Sequence, residues 1–107
     1  MKKPVTLLFA GVIALAGSNL YAQKGDAAKG KEVFDQCSVC HNSDSTDVKM
    51  GPGLKGLFKR PKLTSGTALN EASVRAKVDA GGNGMPSYKD ILSDAEKNDV
   101  IAYLKTL

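Results

Sequence analysis

The sequence predicts one small all-α domain of three to four helices. Its 107 residues leave room for a single modest hydrophobic core. Helix N-caps followed by apolar residues at three- and four-residue steps occur near both ends of this domain, and no alternating apolar run is long enough for a sheet. Two remaining stretches, residues 42–53 and 59–69, are rich in Gly, Pro, Ser and Thr and are predicted loops.

The first predicted helix begins after Asp26, a residue type that accepts hydrogen bonds at helix N-termini. One face of this helix consists of Ala27, Gly30, Phe34 and Cys37. The pattern therefore leads directly into the chain's only two cysteines.

Two further helices are predicted towards the C-terminus. One begins near Asn70 and ends at Gly81, a residue type that commonly terminates helices. The last begins at Ser93, which is placed to form a capping box with Glu96. Its apolar stripe consists of Val100, Ile101, Leu104 and Leu107.

The first 22 residues have the three-part layout of a secretory signal peptide. Two lysines precede an apolar run over residues 5–16, and small and polar residues follow up to Ala22. Because this run is shorter than the roughly 20 residues of a membrane span, we expect cleavage, best placed after Ala22, and no stable membrane insertion. The alternative is an uncleaved anchor. The predicted domains are residues 1–22, the signal peptide, and residues 23–107, an exported domain in the periplasm.

Charge argues against a nucleic-acid partner. Loss of the signal peptide lowers the formal net charge from +4 to +2, because it removes two lysines and no acidic residue. A nucleic-acid-binding domain of this size would carry a strongly basic stripe. We therefore expect no binding to nucleic acid.

The chemistry is concentrated in the stretch C-S-V-C-H, residues 37–41, which contains the only histidine. A thiol–disulfide exchange site normally follows a strand, and nothing upstream of Cys37 resembles one. Structural zinc needs four ligands, and this motif supplies three. In covalent haem attachment the two thiols bond the porphyrin and the adjacent imidazole reaches the iron. The sequence thus predicts one haem c, covalent through Cys37 and Cys40, with His41 as iron ligand; a plain disulfide or redox pair is the alternative.

The second axial position on the iron needs another ligand. A bis-histidine site is excluded, and methionine is the usual alternative. Met85 lies 44 residues after His41, among glycines that let the backbone approach a flat ring. Met50 lies only nine residues after His41 and would have to wrap quickly around the haem edge. We predict Met85 as the distal ligand, with Met50 as the alternative.

The motifs together resemble the small single-haem cytochromes c of class I, with the attachment motif near the N-terminus and the methionine near the C-terminus. They are G-D-A-A-K-G-K-E-V-F, C-S-V-C-H, G-P-G-L-K-G-L-F-K-R, G-M-P-S-Y and D-V-I-A-Y-L, all in the family's order. The resemblance covers roughly residues 25–107. The resemblance implies a cytochrome c fold, with helices wrapped around a covalently attached haem. It also implies that Gly30 and Phe34 meet Tyr103 where the first and last helices cross.

The resemblance implies further site residues. The carbonyl of Pro52 is expected to accept the second ring N–H of His41, which orients the imidazole and makes it a better donor to iron. Arg60 is expected to pair with a haem propionate, and Tyr88 to pack near the haem or bond a propionate. The residues expected to line the pocket are Leu54, Leu57 and Phe58.

Coordination chemistry then predicts the function. With His41 and Met85 both bound, the iron has no open position and can change only its oxidation state. We therefore expect a soluble exported electron shuttle and not an enzyme. The alternatives are a haem subunit permanently assembled with one oxidoreductase, or a ligand-binding haem protein if Met85 does not bind iron.

A run of basic residues suggests how redox partners dock. No acidic residue lies between Asp47 and Glu71. If this basic stretch borders the haem edge, it would steer acidic partners towards the haem. The alternative is a solvated loop surface. The basic residues are Lys49, Lys55, Lys59, Arg60 and Lys62.

Overall fold

The computed structural model describes residues 24–107, so the predicted signal peptide and its cleavage site lie outside the described residues. The elements, in chain order, are α1 (Ala27–Phe34), a 3₁₀ helix (Leu57–Lys59), α2 (Glu71–Ala80) and α3 (Asp94–Leu104). In this part of the chain the extended pairings are two isolated bridges, Lys62 with Ala68 and Gly82 with Met85. The predicted all-α fold is confirmed. Among residues 24–107 no helix has the length and apolar character needed to cross a membrane.

Helix α1 begins where its cap was predicted and ends earlier than its apolar face suggested. The Asp26 carboxylate accepts two first-turn backbone N–H groups, at 2.9 and 3.2 Å. The helix stops at Phe34 because the N–H groups of Asp35 and Cys37 bond carbonyls three residues back, as in a 3₁₀ turn. The cysteine motif therefore lies in the hydrogen-bonded turns that follow α1.

Helices α1 and α3 cross in close contact. Gly30 is buried at this crossing, where a Cβ atom would collide with the backbone of Asp99 and lie 2.8 Å from the Cβ of Tyr103. The rings of Phe34 and Tyr103 meet with centroids 5.3 Å apart and a tilt of 53°. The crossing thus has the two contacts that the resemblance implied, and it requires a glycine at its centre.

The caps of α2 and α3 follow the predicted pattern. Asn70 and Ser73 form a reciprocal box, with the Asn70 side chain accepting the Ser73 N–H at 2.8 Å. Gly81 ends α2 with φ at +67°, a value that favours glycine. The Ser93 hydroxyl accepts the Glu96 N–H at 3.1 Å, and the Glu96 carboxylate accepts the Ser93 N–H at 2.9 Å. Local sequence signals therefore determine where both helices begin.

The core lies between the three helices and the 3₁₀ helix. Burying an aliphatic or aromatic side chain of this size stabilises the fold by roughly 1.5–3 kcal/mol. Cys37, Leu54 and Phe58 are half-buried and pack against this core, so one of its sides opens towards the cysteine motif. The buried apolar residues are Phe34, Leu57, Val74, Leu92, Val100, Ile101 and Leu104.

Candidate haem site

The cysteine motif is folded into two overlapping turns. The backbone N–H groups of Cys40 and His41 both donate to the carbonyl of Cys37, at 3.0 and 2.9 Å. Both cysteines are free and half-buried. The turns thus present two thiols and one imidazole from a single short stretch of chain.

The thiol of Cys37 is poorly suited to redox exchange. Burial raises the pKa of Cys37 to about 11, and the neighbouring Cys40 adds to the rise. Thiol–disulfide exchange depends on the thiolate, and sites built for it lower the thiol pKa. The environment of Cys37 therefore disfavours the redox-pair interpretation.

His41 is held through one ring nitrogen. Its Nδ1 lies 2.8 Å from the carbonyl oxygen of Pro52. With the proton on Nδ1, that nitrogen donates to Pro52, and Nε2 keeps its lone pair for a metal. A Cβ on Gly51 would lie 2.5 Å from His41 Cε1 and 2.9 Å from Nδ1. Gly51 is thus a site residue that the sequence did not predict, although it directly precedes Pro52.

Arg60 braces the loop that follows His41. Its Nη2 donates to the carbonyl of Gly53 at 2.9 Å and to that of Lys55 at 2.8 Å. A guanidinium carries five N–H groups, so these two bonds use only part of its capacity. Contact with a haem propionate stays a prediction.

The predicted wall residues approach the motif from two parts of the chain. Leu54 and Phe58 pack against the core beside the motif. Tyr88 is half-buried, and its pKa is raised by burial first and then by the charges of Cys37 and Cys40. The phenol therefore lies within electrostatic reach of both cysteines, although it is far from them in sequence.

Met85 lies at the end of a tight turn. The N–H of Gly82 donates to the Met85 carbonyl at 2.9 Å, and the Met85 N–H donates to the Gly82 carbonyl at 3.1 Å. All four residues from Gly81 to Gly84 have positive φ, including Asn83 at +53°. A Cβ on Gly81 would collide with the Met85 carbonyl and lie 2.6 Å from the carbonyl carbon of Pro86. The G-G-N-G sequence is therefore needed for the backbone path that brings Met85 to its half-buried position.

Met50 has a different environment. It is 82% exposed, and its Sδ lies 3.7 Å from Cys40 Sγ, on the side of the motif itself. A distal ligand has to come from the opposite side of the iron from His41. Met85 therefore stays the predicted distal ligand.

The basic residues predicted for docking are at the surface. The four lysines are exposed and Arg60 is half-buried. Lys49 also donates from Nζ to the Ser38 carbonyl at 3.0 Å, which holds it against the motif turn. Lys49 is thus the member of the set whose contact with the motif region is direct.

Fold and site together define a small helical haem protein of the electron-carrier type. The family model for cytochrome c matches residues 27–107. The chain is 35% identical to cytochrome c2 of Blastochloris viridis, over 89% of this chain and 88% of that protein. It is 28% identical to cytochrome c6 of Synechocystis, over 94% of this chain and 79% of that protein. The solved structure of cytochrome c6 from the diatom Phaeodactylum tricornutum superposes with a TM-score of 0.61 at 28% identity, covering 77% of this chain and 93% of the diatom protein.

The chain belongs to the cytochrome c family. It is a small class I, single-haem electron-transfer cytochrome and carries one covalently bound haem c. The predicted fold, the electron-transfer function and the haem c cofactor are thereby confirmed.

Proposed function

We propose that haem c is attached through Cys37 and Cys40. We further propose that His41 and Met85 are the axial ligands of its iron. The donor set fits this group: two free thiols, one imidazole with Nε2 available, one half-buried thioether and apolar walls. The observation that carries the proposal is the bond from His41 Nδ1 to Pro52, because it orients the ring and makes Nε2 the coordinating nitrogen.

When bound, the haem supplies an iron that alternates between the ferrous and ferric states. The hydrogen bond that His41 donates to the Pro52 carbonyl makes its imidazole more basic than a free one. The soft thioether of Met85 favours the ferrous state. With both side chains bound to the iron, no open position would be left for substrate or oxygen. This supports a role in electron transfer alone, without enzymatic activity.

The other site residues surround this centre. Leu54 and Phe58 exclude water, which penalises the additional charge of the ferric state and raises the reduction potential. Arg60 and Tyr88 can donate hydrogen bonds to the propionates, from N–H and O–H groups respectively. The proposed pocket is thus apolar around the iron and polar at its margin.

The ferric absorption spectrum of the intact holoprotein tests the axial ligands. We expect the weak long-wavelength band of methionine-ligated haem in the wild type and its loss in Met85→Ala. The reduction potential of Met85→Ala should fall by on the order of 100 mV, a fraction of the roughly 0.8 V range set by axial ligands. Met50→Ala is the matched control and should keep the band. A band that survives in Met85→Ala, or disappears in Met50→Ala, would contradict the assignment.

Export to the periplasm, with residues 1–22 as a cleaved signal peptide, is part of the proposal and rests on the layout of that segment.

We also propose that acidic redox partners dock near Lys49, Lys55 and Lys59, because these lysines are exposed and positively charged. An anionic oxidant, ferricyanide, is a suitable probe. Its rate constant should fall as ionic strength rises, and should fall further in Lys49→Gln than in Lys29→Gln, an exposed lysine on α1. Rates indifferent to ionic strength would exclude this docking surface.

A further inference from the structure

Within residues 24–107, Lys97 is the one residue with a charged side chain that is buried. It lies near the start of α3 and is only 5% exposed. Its Nζ lies 2.7 Å from Asp79 Oδ1 and donates to the Lys89 carbonyl at 3.1 Å. Asp79 Oδ1 is buried and has no hydrogen-bond partner among the described residues, so the ion pair with Lys97 is what compensates its charge. Burying an ammonium is costly, which makes such a specific pair of partners informative.

The partners of Lys97 connect three parts of the molecule. Asp79 belongs to the last turn of α2, directly before the turn that carries Met85. Lys89 belongs to the segment that follows Met85, here called the return segment, residues 86–92. The return segment also binds the end of α2 through the Ser87 hydroxyl, which donates to the Asp79 carbonyl, and through the Tyr88 N–H, which donates to Val78. The Lys97 ammonium therefore joins α3 to both flanks of the Met85 turn.

We propose that Lys97 is a positioning residue for Met85, and that its two contacts keep the thioether at the iron. The proposal rests on the proposed role of Met85 as distal ligand. The turn itself is closed by two backbone hydrogen bonds between Gly82 and Met85, which fix its shape but not its place relative to the helices. That place depends on the flanks, and Lys97 is bonded to both.

The chain offers a matched comparison for this role. Lys105 is the C-cap residue of α3 and pairs with Glu71 at the other end of α2. The two side chains are 46% and 60% exposed, against 6% for Lys97 and 34% for Asp79. Exposed pairs contribute little, because water and salt screen them. Lys105→Met therefore removes a lysine pairing between α3 and α2 without affecting the Met85 turn.

Imidazole, which competes with methionine for ferric iron, measures how firmly Met85 is held. The ferric holoprotein would be titrated with imidazole at neutral pH while the long-wavelength band is followed. We expect Lys97→Met to bind imidazole about tenfold more tightly than the wild type, equivalent to about 1.4 kcal/mol. Asp79→Asn should shift the affinity in the same direction by a smaller factor, and Lys105→Met by less than twofold.

General destabilisation has to be separated from local positioning. Asp26→Ala removes the cap of α1 and lowers global stability without touching the return segment. If Lys97 acts locally, its variant shows a larger gain in imidazole affinity than Asp26→Ala for the same loss of denaturant stability. Equal gains, or a change below twofold in Lys97→Met, would overturn the proposal. A wild type without the methionine band would instead contradict Met85 ligation itself.

Discussion

The two proposed iron ligands are held in different ways. His41 is fixed by residues close to it in sequence: its own turn with Cys37, the clearance provided by Gly51, and the Pro52 carbonyl 11 residues away. Met85 also lies on a locally closed turn, but the position of that turn depends on bonds to α2 and α3. The imidazole is therefore secured by a continuous stretch of chain and the thioether by tertiary contacts.

This difference indicates which side of the site yields first. A protein opens locally in regions whose contacts can break without global unfolding. The return segment is attached through a few hydrogen bonds, one buried ammonium and the buried side chain of Leu92, whereas the His41 side is covalently linked to the haem in the proposed site. We therefore expect substitutions around Met85 to change iron ligation, and substitutions around His41 to change its electronic properties.

The largest effect should come from Gly81→Ala. The φ and ψ of Gly81, +67° and −143°, lie near a region that only glycine adopts readily, and a Cβ would collide with the Met85 and Pro86 backbones. We expect loss of the long-wavelength ferric band and a decrease of about 3 kcal/mol in the free energy of unfolding, from backbone strain and this collision.

Gly66→Ala is the matched control for Gly81→Ala. Gly66 has φ at +90°, but a Cβ there would meet no atom within 4 Å. This variant should lose only about 1–2 kcal/mol from the left-handed backbone and keep the band. If both variants keep the band, the turn does not control Met85, and the contrast between the two ligands is lost.

A moderate effect is expected on the other side from Gly51→Ala. The new Cβ would displace the imidazole from Pro52, and a less basic ring stabilises ferric iron less. A hydrogen bond contributes about 0.5–1.5 kcal/mol, so the reduction potential should rise by about 20–60 mV. Voltammetry on the holoprotein measures this, with Gly56→Ala as the control because a Cβ there meets no atom within 4 Å. Loss of the methionine band in Gly51→Ala would show that the two sides are not separable.

Apart from the helix crossing that the family resemblance implied, the parts of the fold that the sequence predicted are those determined by neighbouring residues. The caps at Asn70 and Ser93 and the helix end at Gly81 depend on side chains within three or four positions, and all were confirmed. The end of α1 was less predictable, because the choice between three- and four-residue hydrogen bonds after Phe34 leaves the apolar pattern unchanged.

Two residues whose roles depend on tertiary contacts, Lys97 and Gly51, were missed. Nothing near Lys97 in sequence indicates that this lysine is buried, because its partners Asp79 and Lys89 come from other elements. Similarly, the need for glycine at position 51 arises only when the His41 ring folds back over it. Periodicity describes the faces of helices, and it contains no information on which distant carbonyl a side chain will reach.

The smallest effect should come from Asn83, the non-glycine residue with positive φ in the Met85 turn. Asn83→Gly should change stability by less than about 0.5 kcal/mol, since both residue types tolerate this conformation, whereas Asn83→Ala should cost about 1 kcal/mol. If this loss of about 1 kcal/mol weakens only the binding of Met85 to the iron, Asn83→Ala should bind imidazole about fivefold more tightly than the wild type. Once imidazole has replaced Met85, however, the reduction potential of Asn83→Ala should equal that of the imidazole-bound wild type, because the His41 side is unchanged. A difference between those two potentials would mean that strain in the turn reaches His41, and that the thioether and the imidazole are not held independently.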